Sequence, residues 1–209
     1  TKLLARYPRM HFAASSASYY ALLERSDPAL LDRIRTLVRA GRWDLVGGWW
    51  VEPDANMPSG ESLIRQGLYG QRTLRRLFGR TATIAWTPDT FGYPWTLPQI
   101  LLGSGLDGFV TQKLRWNDRN PWPAGQDAFW WQGPDGSRVL AYVPYGYDHD
   151  LDPERLAAEL DSTIAGGRMR RMLVLYGVGD HGGGPTIEML ERARDLARLP
   201  TFPPLRETS

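Results

Sequence analysis

The chain has 209 residues, 42% of them hydrophobic, and a formal net charge of +2, which suits one ordinary domain with a buried core or a large piece of a longer protein. Lys2 and Lys113 are the only lysines and the arginines are scattered rather than blocked, so no basic stripe speaks for a nucleic-acid partner. The absence of cysteine excludes disulfides, thiolate metal sites and a cysteine nucleophile, and no run approaches the ~20 apolar residues of a membrane span.

The first residues, "TKLLARYPRMHFAASS", carry neither an initiator methionine nor a signal-peptide pattern. They read as the tail of a helix running into a short strand at 10–15, so a segment of a longer, cytoplasmic protein is expected. "SDPALLDRIRTLVRAGR" has the marks of a helix: Ser26 or Asp27 as cap, Pro28 in the first turn, apolar positions Leu30, Leu31, Ile34, Leu37 and Val38, and Gly41 as terminator. A strand with its exit loop follows at 43–52. The next helix runs from about Ser59 to Phe78, with Leu63, Leu68, Leu74 and Leu77 expected inward and Gly79 ending it.

Strands are expected at 81–86 and 108–113, separated by a short helix in "TLPQILLGSG". "AFWWQGPDGSRVLAYVPY" reads as a β-hairpin turning at "PDG". A helix capped by Asp152 follows, then a buried strand ending "MRRMLVLYG", then a last helix in "PTIEMLERARDLARL". Alternating strands and helices argue for a parallel sheet with helices outside, open or barrel-shaped.

The polar and aromatic clusters each follow a strand: "GGWWVEPDANMPSGES", "TPDTFGYPW", "QKLRWNDRN", "PYGYDHD" and "GVGDHGGGPT". Loops at the carboxyl ends of parallel strands share one face, and that face carries the site. It would gather Glu52, Asp54, Asp89, Lys113, Asp148, Asp180 and His181 among tryptophans and tyrosines. Aromatic faces stack on sugar C–H faces, and paired carboxylates cleave glycosides. Metal-assisted hydrolysis needs clustered His and carboxylate ligands instead. Residue chemistry leaves these open. It also leaves open plainer roles: Asp89 as a turn former, the tryptophans as core, "GDHGGG" as a flexible turn, His149 as loop surface and His11 as a structural histidine.

The stretch "GRWDLVGGWWVEPDANMPSGES", followed by "WTPDTFGYPWTLPQILLGSGLDGFVTQK", "FWWQGPDGSRVLAYVPYGY" and "YGVGDHGGGPT", resembles the bacterial and cytosolic or vacuolar branch of class II α-mannosidases, glycoside hydrolase family 38. The resemblance covers nearly the whole chain in order. It implies an α/β fold that is part of a seven-stranded (β/α) barrel, with the hairpin as an insertion, and residues 1–209 as a single partial domain from the centre of the catalytic barrel. It implies retaining hydrolysis of α-mannosides with one zinc ion. Asp89, in "WTPDTFG", would be both nucleophile and zinc ligand, and Lys113 would orient it. Tyr147, Asp148, Trp50, Trp95 and Asp180 would contact a mannose-containing substrate, and Phe91, Tyr93 and Trp95 would wall Asp89 from water. The family's H-x-D motif, its later zinc histidine and its general acid would lie outside this chain, and the complete protein would be a possible homo-oligomer with no membrane or nucleic-acid partner. A carbohydrate-binding fragment without catalysis and a metal-dependent carbohydrate deacetylase on a related barrel are the alternatives.

Overall fold

The computed structural model describes residues 2–167, 169–179 and 183–207. In chain order the elements are α1 (Lys2–Arg6), β1 (Phe12–Ala14), α2 (Ala17–Ser26), α3 (Pro28–Arg39), β2 (Trp43–Leu45), α4 (Gly60–Phe78), β3 (Ile84–Trp86), α5 (Leu97–Gly103), β4 (Gly108–Val110), β5 (Ala128–Gln132), β6 (Arg138–Tyr142), α6 (Pro153–Ala165) and α7 (Ile187–Leu196).

Local chemistry accounts for the long helices. Asp27 caps α3 by accepting from Leu30 N at 2.8 Å, and Pro28 opens it; Leu31, Ile34 and Val38 then form its buried stripe. Ser59 caps α4 and Gly79 ends it in the left-handed conformation at φ 73°. Leu63, Leu74 and Leu77 of α4 are buried, but Leu68, expected inward, is half-exposed. Its place among the inward residues is taken by Gly67 and Gly70, which bring the helix backbone close to its neighbours. Asp152 caps α6, as its sequence suggests. The sequence pattern does not announce α2, because its apolar residues fall on two faces: Ala17 and Tyr20 are buried while Tyr19 and Leu22 are exposed.

The expected barrel does not form. The described strands make a two-stranded parallel sheet, β1–β2, and a four-stranded sheet in the order β3–β4–β6–β5, and neither closes. β3, β4 and β6 are mutually parallel, but β5 runs antiparallel to β6. The expected hairpin forms, but as part of the sheet rather than an insertion beside it: β6 lies inside the sheet and β5 is its edge, and an antiparallel edge interrupts the strand–helix–strand winding that a barrel requires. Gly47 N donates to Ile84 O at 2.8 Å, which brings the exit of β2 to β3 without building a ladder.

The strand expected before Gly177 is also missing. That segment makes one isolated parallel bridge, Tyr176 with His149. Its neighbour is a loop, so the ladder has nowhere to extend. The main core lies between the four-stranded sheet and helices α2 to α5, around Trp49, Leu101, Leu106, Phe109 and Ala141. A smaller cluster joins Leu151 and Leu156 to Ala193 and Leu196 of α7. No described helix is long and apolar enough to cross a membrane.

Candidate active site

Because β3, β4 and β6 are parallel, their carboxyl ends lie together, and the loops leaving them meet. Asp89 lies just beyond β3, Lys113 opens a 3-10 turn over Lys113–Arg115 after β4, and Tyr147 follows β6. Lys113 was expected to end its strand; the strand stops at Val110, and the turn swings the side chain onto Asp89. Lys113 Nζ lies 2.9 Å from Asp89 Oδ1. The same ammonium donates to the Tyr147 hydroxyl at 3.2 Å, and that hydroxyl donates to Asp89 Oδ1 at 3.3 Å. The three side chains thus form a closed triangle on one carboxylate oxygen. Among the described residues Oδ2 accepts no hydrogen bond.

Lys113 is almost wholly enclosed, its side chain 3% exposed. Its ammonium stands 3.3 Å from the centroid of the Trp116 ring, 4.9 Å from that of Phe91 and 4.8 Å from that of Tyr147. Burial pulls the lysine toward deprotonation, but the bonds to Asp89 and Tyr147 outweigh it and hold its pKa above the ordinary lysine value. Asp89 is different: its side chain is 55% exposed. Phe91 and Trp95 are exposed as well, so the dry wall expected around Asp89 is absent. Tyr93 faces the interior. Its hydroxyl lies 3.0 Å from Thr87 O and 2.8 Å from Thr90 O and contacts the Thr111 hydroxyl closely. Burial pushes this phenol up to about 12. Tyr93 braces the Asp89 loop from beneath rather than walling the carboxylate.

The turn that carries Lys113 is anchored on its other side. Arg115 Nη2 lies 2.5 Å from Asp127 Oδ1, which is fully buried, and the Arg115 guanidinium stacks 3.9 Å from the Tyr145 ring centroid. Asp127 Oδ2 accepts from the Thr163 hydroxyl of α6 at 2.6 Å.

Other expected site residues stand apart. Trp50 is at the surface, held through its backbone N–H to Gln66 O of α4 at 2.9 Å. Trp95 is exposed, with its carbonyl beside Gly133 at the hairpin turn. Asp148 is exposed and packs against Gly179. Asp180 and His181 lie outside the described residues. His149 is not loop surface: it is buried, and its Nδ1 accepts from Leu151 N at 2.7 Å. One residue absent from the expected set joins the site: Trp116 covers the lysine, a role its place in "QKLRWND" does not announce. Glu52, expected on this face from its position after a strand, reaches the Asp89 loop with its carboxylate.

Zinc takes about four ligands, and among the described residues no group of three or more His, Asp or Glu forms a metal-binding cluster. At this site Asp89 alone is offered, with Oδ1 already engaged by Lys113. The described residues by themselves do not fit the ion.

The site thus sets a carboxylate paired with an enclosed cation beside exposed rings at the carboxyl ends of parallel strands. The chain matches the model of the glycosyl hydrolases family 38 N-terminal domain over residues 1–208, and it belongs to that family. It is 42% identical over 199 residues to alpha-mannosidase G of Dictyostelium discoideum, covering 93% of this chain and 18% of the relative. It is 40% identical to human alpha-mannosidase 2C1 over 212 residues, covering 100% of this chain and 20% of the relative. Against the alpha-mannosidase of Saccharomyces cerevisiae it is 40% identical over 203 residues, 94% of this chain and 18% of the relative. The chain thus spans about a fifth of the length of these relatives.

Solved structures share the fold at low identity. An alpha-mannosidase from Enterococcus faecalis V583 superposes with TM-score 0.65 at 19% identity, over 89% of this chain and 22% of that one. The 4-alpha-glucanotransferase from Thermococcus litoralis gives 0.62 at 16% identity, over 84% of this chain and 28% of that one.

Proposed function

We propose that this chain carries the nucleophile of a retaining α-mannosidase of the cytosolic and vacuolar branch. The observation that carries the reading is the triangle of Asp89, Lys113 and Tyr147. Two donors on Oδ1 fix the plane of the carboxylate, and Oδ2 is left to attack. In the first step Oδ2 bonds to the anomeric carbon as the glycosidic C–O bond breaks. The departing oxygen takes a proton from an acid supplied by the rest of the protein, or leaves unaided when it is an activated phenolate. In the second step water attacks the same carbon from the opposite face, yielding its proton to the group that served as acid or to solvent, the ester C–O bond breaks, and the Asp89 carboxylate is regenerated with net retention. Tyr147, Asp148, Trp50, Trp95 and Asp180 belong to the sugar-contacting set in this reading. Zinc belongs to it as well, with Asp89 as one ligand and the others outside the described residues.

The test is Asp89→Ala in the complete protein, assayed with an aryl α-mannoside bearing a good leaving group. Such a substrate bypasses the acid but not the nucleophile, so turnover is expected to vanish. Metal content is measured alongside. Undiminished turnover of the variant would overturn the assignment.

A further inference from the structure

Glu52 sits in the loop after β2 and crosses to the loop after β3. Its Oε1 accepts from the backbone N–H of Asp89 at 2.9 Å and from the Thr90 hydroxyl at 3.0 Å. The Thr90 side chain is buried, and its hydroxyl also lies 3.0 Å from Pro53 O. Residues 52 and 53 therefore grip residues 89 and 90 from one side. The contact is to the backbone of Asp89, not its carboxylate, which is the wrong geometry for an acid or base and the right one for a clamp.

The clamp is itself held. Glu52 N donates to Ser16 Oγ at 3.3 Å, and Val51 N donates to Gln66 Oε1 of α4 at 3.0 Å. Ser16 adopts φ 66°, a left-handed conformation that a serine takes only when its surroundings enforce it. Behind the loop, α4 approaches so closely that a Cβ on Gly70 would lie 2.2 Å from Gly48 O. A strained serine, a helix glycine and a glutamine amide thus converge on one surface loop. What the loop delivers is the Glu52 carboxylate at the Asp89 amide.

We infer that Glu52 is a positioning residue for the nucleophile, setting where the Asp89 carboxylate stands through the Asp89 N–H and the Thr90 hydroxyl. The inference rests on the reading of Asp89 as nucleophile. Lys113 and Tyr147 orient the carboxylate, and Glu52 fixes the backbone from which it projects. The Glu52 side chain is partly buried between the two loops. An acid kept in such a place for packing alone would be better replaced by an apolar residue.

The test uses the complete protein and an activated aryl α-mannoside, with far-UV circular dichroism and metal content recorded for each variant. Glu52→Ala frees the Asp89 backbone, and displacing a reacting group by about 1 Å costs on the order of 100-fold; that loss is expected in kcat, with KM little changed. Glu52→Gln keeps an acceptor oxygen in the same place, so it is expected to recover most of the loss, within about fivefold of wild type for the exchange of a charged acceptor for a neutral one. Thr90→Val removes one of the two bonds and is expected to lower kcat partially at unchanged KM. It carries the test should Glu52→Ala not fold. Wild-type kcat in Glu52→Ala or in Thr90→Val would overturn the inference, as would Glu52→Gln falling as far as Glu52→Ala. Failure of the nucleophile assignment shows separately, as turnover by Asp89→Ala.

Discussion

The Lys113 ammonium stands 3.3 Å from the centroid of the Trp116 ring. One face of the indole is thus occupied by the cation that pairs with Asp89, while the residue as a whole is 61% exposed. Trp116 keeps water from the lysine and attracts it electrostatically. A cation–π contact of this kind contributes about 0.5–2 kcal/mol, so Trp116→Ala is expected to lower kcat/KM by roughly 2- to 30-fold. Steady-state kinetics of the complete protein check this. Trp116→Phe, which keeps a smaller ring, is expected to fall between the two.

The Arg115–Asp127 pair anchors the turn that presents Lys113. Asp127 is fully buried and also takes the Thr163 hydroxyl. Removing one partner leaves a buried charge unpaired, which costs about 3–5 kcal/mol. Asp127→Ala is expected to destabilise by that amount in denaturant unfolding. Thr163→Val, which removes a single hydrogen bond, is expected to cost only about 1–3 kcal/mol.

A pH effect follows from Glu159 of α6. Burial pushes its carboxyl up, but His149, 3.5 Å away, and Arg155, at 2.9 Å, outweigh that and hold it below the usual carboxylate range. A depressed folded-state pKa contributes stability above the unfolded value and loses it as pH falls through the folded value. Glu159→Gln is therefore expected to lower Tm at neutral pH and to converge with wild type only as the pH falls from the ordinary glutamate value near ~4.3 through the depressed folded-state pKa. Thermal melts at descending pH measure the convergence.

Two glycines give a matched pair. A Cβ on Gly70 would strike Gly48 O at 2.2 Å, whereas one on Gly103, at the end of α5, meets nothing within 4 Å. Gly70→Ala is expected to destabilise by about 1–3 kcal/mol through overpacking and to slow turnover, since the displaced loop carries Glu52. Gly103→Ala is expected to be neutral or stabilising by about 0.4–1 kcal/mol. Unfolding and rate measured on both variants separate the loop effect from a general effect of adding a methyl group in a helix.

The helices were largely legible in the sequence because their start signals are local. Asp27–Pro28, Ser59 and Asp152 each cap the helix they announce. The β5–β6 hairpin was legible because its turn is local, but the failure of the sheet to close was not, because closure depends on long-range strand pairing such as that of β4 with β6, which alternation of elements does not encode. The segment before Gly177 looks strand-like by composition yet faces a loop. At the site, the motif around Asp89 and its neighbour Lys113 was readable. Trp116 and the clamp by Glu52 were not, because both depend on a side chain crossing between loops. The dry wall failed for a related reason: Phe91, Tyr93 and Trp95 alternate along a loop, so only Tyr93 turns inward.

Asp89 is the group proposed to attack the anomeric carbon. The most direct measurement is to inactivate the complete protein with a fluorinated mannosyl reagent that accumulates the glycosyl-enzyme ester, digest it, and locate the added mass by tandem mass spectrometry. The label is expected on the peptide containing Asp89, with the carboxylate of Asp89 as the attachment point. A label on another carboxylate, Glu52 or Asp148 included, would contradict it.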